Sequence, residues 1–121
     1  AGLCCPPYTP TPQQTREVVD SYTRALLIHG RLDPDTTRMA YTLEREIFLS
    51  GFYKALSFGA GPCRLCQPCN LEKCLHPREA RPSMEACGID VYATVRANGY
   101  HIEVRTERSG ERHSFGLVLI D

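Results

Sequence analysis

The sequence reads as an α+β protein in which helices pack on a small three-stranded sheet, and three observations predict it. Two stretches open with cap-and-proline helix starts, 11-TPQQ-14 and 33-DP-34. Three short apolar runs have strand character: 24-RALLIH-29, 101-HIEVRTE-107 and 113-HSFGLVLID-121. Between the helices lies an aperiodic stretch, residues 59–82, built on Gly, Pro and Cys.

In chain order, residues 1–10 form a proline-rich entry carrying Cys4 and Cys5. Thr11 caps a first helix, with Pro12 at its first position and Gln14 at its third, running to about Tyr22. The run 24–29, closed by Gly30, is the first strand. Asp33 is the expected cap of a second helix. Its apolar positions Met39, Leu43, Ile47, Phe48 and Ala55 recur at spacings of three and four, so it should persist to about Leu56 and stop at Gly59 and Gly61. Ser83 caps a third helix at Met84, with a joint at Gly88, a fresh start at Asp90 and a stop at Asn98-Gly99. The tail gives two strands around the turn 108–112.

Composition narrows the function. A chain of 121 residues, 42% hydrophobic and 23% charged, is expected to form one domain. The net charge is zero and the pI 7.1, which argues against nucleic acid or an anionic membrane as partner. No apolar run reaches the roughly 18–20 residues of a membrane span. No secretory signal is visible, and the start at Ala1 without Met points to a missing upstream segment. Seven cysteines, an odd number, fit a disulfide scaffold poorly and fit metal ligation in a reducing cytoplasm well.

The four cysteines Cys63, Cys66, Cys69 and Cys74 carry the chemistry. The C-x2-C-x2-C run brings three thiolates onto one turning backbone and can supply three corners of a [4Fe–4S] cluster, as in bacterial ferredoxins. Zinc more often takes its four ligands as two separated pairs, and is the alternative. Cys74 is nearest and closes the set with least loop entropy, although Cys87 or Cys5 could take the fourth corner. Arg64, Lys73, Arg78 and Arg81 offer positive charge, and the amides of Gly59 to Gly61 offer hydrogen bonds to sulfur. Of Cys4 and Cys5, adjacent on an extended chain, one is expected buried and the other idle, unless Cys5 joins Cys87 or upstream residues at a metal. Cys87 reads first as a small core residue.

Other candidates read as structure. His76 beside Cys74 is a turn residue that could also tune a cluster. His101 and His113 fall on paired strands. Glu44, Arg45 and Glu46 read as a solvated helix face, and Tyr8, Tyr41, Phe48, Phe52, Tyr53 and Phe58 as core. No catalytic triad or carboxylate pair is recognisable.

The segments CCPPYTPTP, GAGPCRLCQPC, KCLHP and RPSMEACGIDV together resemble the predicted metal-binding protein family, domain of unknown function 2284, over nearly the whole chain. The resemblance implies metal binding and carries no established reaction. It matches Cys63, Cys66, Cys69 and Cys74 to the family's metal-binding cysteines and Cys5 to the cysteine before its paired prolines. The expected protein is therefore a small cytoplasmic [4Fe–4S] carrier, transferring electrons or sensing redox state for a partner enzyme. A structural zinc-binding interaction module is the alternative, or an enzyme or carrier with an open iron site.

Overall fold

Thr11 opens the first helix, α1 (Pro12–Asp20), with a complete capping box. Its Oγ1 accepts from the Gln14 N–H at 3.2 Å, and its own N–H donates to Gln14 Oε1 at 2.9 Å. The computed structural model describes residues 2–99 and 113–121. After α1 come β1 (Ala25–Gly30), α2 (Asp33–Leu49), β2 (Leu56–Phe58), a 3-10 turn (Glu85–Cys87), α3 (Val91–Ala97) and β3 (Ser114–Leu119). The architecture is α+β, as expected; the expected strand 101–107 and its turn lie outside the described residues, apart from which the sheet has three strands.

α2 departs from expectation at both ends. Its N-cap is Leu32, which makes no side-chain cap, while Asp33 is already helical and accepts from Ser114 Oγ at 2.8 Å on β3. The helix stops at Leu49 rather than near Leu56. Ser50 Oγ donates back to Glu46 O at 2.8 Å, and Gly51 follows at φ +105°, a backbone only glycine adopts freely. Leu56, the expected end of the helix, instead opens a strand, Leu56–Phe58, so Gly59 to Gly61 terminate no helix. The Gly59 N–H donates to Pro82 O at 2.9 Å.

The sheet order is β1-β3-β2, so the last strand of the chain lies in the middle, antiparallel to both neighbours. Alternation along β3 separates two cores. Phe115, Leu117 and Leu119 face Phe58, Met84, Cys87, Val91 and Val95. On the other face, Val118 meets Ile28 of β1 and Ala40 of α2. Here α2 lies directly on the strand. A side chain at Gly116 would meet Phe58 O at 3.1 Å and Thr36 Cγ2 at 3.2 Å. Exposure of 0% for Ala40 and Val118 records how close that approach is.

The aromatic expectation fails in part. Phe58 is core, but Phe48, Phe52 and Tyr53 are 45%, 38% and 75% exposed, and Tyr8 is exposed too. Phe48 meets Tyr53 edge-on, and Arg24 lies over Phe52.

Candidate metal centre

Residues 62–82 contain no helix or strand, so other bonds hold the cysteine stretch in place. Its entry is tied to α2: Thr37 Oγ1 donates to Ala60 O at 3.1 Å and accepts from the Ala60 N–H at 3.0 Å. Its exit is tied by Arg81, whose Nη2 meets Glu44 Oε2 at 2.6 Å. Arg81 Nε also reaches Glu44 Oε1 and Ser57 Oγ, both at 3.1 Å. Glu44 in turn accepts from the Ser57 N–H at 2.6 Å. This network overturns the expected solvated role of Glu44. The side chains of Arg81 and Glu44 are only 15% and 16% exposed, because α2 packs this face against β2 and the loop exit. Burial alone would raise the Glu44 carboxyl, but hydrogen bonds from Arg81 and Ser57 and the charge of Arg81 outweigh it and hold it below its ordinary value. Arg81 is thereby committed to Glu44, not available as a loose cation for the sulfurs.

Between these ties the chain runs through bends at 65–68 and 71–73. Asn70 Oδ1 accepts from the N–H groups of Glu72 and Lys73 at 3.0 and 3.3 Å, an Asx turn joining Cys69 to Cys74. The His76 carbonyl accepts from Glu79 and Ala80, turning the chain toward Arg81. The His76 side chain is exposed. The Pro6-Pro7 and Gln67-Pro68 peptides are cis.

The N-terminal segment folds over this loop. A side chain at Gly2 would stand 3.2 Å from Cys69 Cβ and 3.3 Å from its Sγ. The segment turns through hydrogen bonds from Cys5 N–H to Gly2 O and from Tyr8 N–H to Cys5 O, both at 3.0 Å. Thr9 Oγ1 then anchors it on Ala86 O at 2.6 Å.

All seven cysteines are free thiols, so no disulfide web holds the loop. Burial pushes the Cys4 thiol up to about 12, helped by the charge of Cys63 and a hydrogen bond with it, and by the charges of Cys74 and Cys5. Cys66 is raised by burial and then by Cys69, Cys63 and Cys74. Cys4, Cys63, Cys66, Cys69 and Cys74 thus occupy one electrostatic neighbourhood. Cys4 is the member that sequence reasoning missed. Its only signal was the CC pair before the prolines, and that pattern does not say which sulfur turns inward. Cys5 is half-buried beside Cys4, whereas Cys87 is 1% exposed inside the core among Phe58, Val91 and Leu119.

The donor chemistry fits a thiophilic metal. Burial and neighbouring sulfurs disfavour the thiolates of Cys4 and Cys66, and a bound cation reverses that by replacing the protons. Among the described residues, no three His, Cys, Asp or Glu side chains already stand as the ligand set of one metal ion. His113, expected opposite His101, stands with its Nδ1 2.8 Å from His29 Nε2; His101 lies outside the described residues.

The family model described as "Predicted metal-binding protein (DUF2284)" matches residues 1–120, and the chain belongs to that family. No curated protein and no solved structure matches it significantly. Among the described residues, no helix is long and apolar enough to cross a membrane.

Proposed function

We propose that this member of the metal-binding family holds a [4Fe–4S] cluster and serves electron transfer or redox sensing for a partner protein in the cytoplasm. The observation that carries the reading is the sulfur neighbourhood: the C-x2-C-x2-C run and Cys74 lie in one bend, and the N-terminal segment brings Cys4 beside Cys63 and Cys74. Cys63, Cys66, Cys69 and Cys74 are the ligands, with Cys4 the competitor for the fourth corner. When bound, the cluster supplies one-electron chemistry. The chain's own residues hold and shield it. The segment Gly2–Tyr8 lies over the loop and excludes water. Lys73 and Arg78 are exposed on the same loop and offset the negative charge of a thiolate-bound cluster.

Protein isolated without oxygen should be brown, with a broad visible band that bleaches on adding dithionite. A colourless protein with one zinc per chain would instead support an interaction module folded by its metal. The absence of helix and strand from residues 62–82 favours that second reading to this extent: any metal bound there organises the loop.

A further inference from the structure

Between the cysteine loop and the first half of α2 lies a cavity of about 240 Å³. It is smaller than the roughly 300–1,000 Å³ of pockets for drug-sized ligands, and so of a size for a small metabolite. Tyr41, Pro62 and Leu65 supply apolar wall. The charges facing it are Arg38, Arg64, Arg81 and Glu79. Two of these are committed: Arg81 to Glu44 at 2.6 Å, and Arg38 to Asp35 at 3.1 Å. Arg64 and Glu79 are different. Neither side chain makes an ion pair or hydrogen bond among the described residues, and although both line the same cavity they do not meet each other. A small cavity whose wall carries one open cation, one open anion and apolar surface complements a zwitterion with an apolar body.

We propose that this cavity binds a free α-amino acid with an apolar side chain, its carboxylate on Arg64, its ammonium on Glu79 and its side chain against Tyr41 and Leu65. The Arg64 fork matches a carboxylate in shape as well as charge. Cys63 forms part of the wall, which sets the ligand against the first thiol of the metal loop. The assignment holds whichever metal the loop carries.

The test is calorimetric titration of the metal-loaded protein as isolated with L-leucine, and with 4-methylpentanoate and isoamylamine, which each lack one of its charged groups. L-leucine should bind, and each single-charge analogue should bind at least tenfold more weakly. Arg64→Ala and Glu79→Gln should each weaken L-leucine at least tenfold with thermal unfolding unchanged, since neither side chain has a partner to lose. No heat with L-leucine overturns the proposal. So does 4-methylpentanoate binding as tightly as L-leucine, which would mark a plain anion site, or L-leucine affinity unchanged in both variants.

Discussion

Cys87, in the segment RPSMEACGIDV, is the small core residue its context predicts: its sulfur is packed at 1% exposure and burial raises its thiol. Cys87→Ser should leave metal content unchanged while lowering stability by about 1–2 kcal/mol, the cost of an unpaired buried hydroxyl. Urea unfolding alongside metal analysis checks both halves. At the sulfur neighbourhood the expectation concerns spectra. Cys74→Ser should convert the cluster to a labile or three-iron form seen by EPR, while Cys4→Ser should keep the parent spectrum. The reverse result would move the fourth corner to Cys4. The loop cysteines were legible because their spacing is local and their chemistry strict. Cys4 was not, since only the fold of a distant segment over the loop brings it to Cys63 and Cys74.

Elements differ in how much of their making is local. α1 was legible to within two or three residues, because a capping box is written in four adjacent positions. β2 was not: Leu56–Phe58 is three residues long, too short to show alternation, and it continues the apolar spacing of α2. Glu44 was misread for the same reason, since its partner Arg81 lies 37 residues away in the sequence. That pair joins α2, β2 and the loop exit, so Glu44→Ala should cost about 3 kcal/mol by leaving Arg81 half-buried and unpaired. The carboxyl lies below its ordinary value of 4.5 in the folded protein, so its stabilisation is complete above that pH and is lost as pH falls through the folded value. The stability gap between parent and Glu44→Gln should therefore be full at pH 7 and shrink toward pH 3, as read by urea unfolding at each pH. Packing between α2 and β3 gives a second prediction. Gly116→Val should destabilise by about 1–3 kcal/mol, because Phe58 O and Thr36 Cγ2 already stand within 3.2 Å of the added carbon. A thermal melt measures it.

For the molecule as a whole, the two cores and the cysteine loop are separate sources of order. Both cores form on the sheet without a residue from the stretch 62–82. The loop depends on two ties to α2 and on its sulfurs. Metal removal should therefore lower the urea midpoint and raise proteolysis within 62–82, while the helical circular dichroism and a cooperative transition persist. Loss of all structure in the metal-free protein would place the metal in the core of folding instead. The overall α+β class was legible because helix starts and apolar runs are short-range signals. The central place of β3 was not, since antiparallel pairing with both β1 and β2 is a long-range choice.

The most direct measurement is iron, acid-labile sulfide and zinc per chain in protein isolated without oxygen. The proposed [4Fe–4S] cluster predicts four iron and four sulfide with no zinc. One zinc per chain, with neither iron nor sulfide, would contradict the redox account at its base.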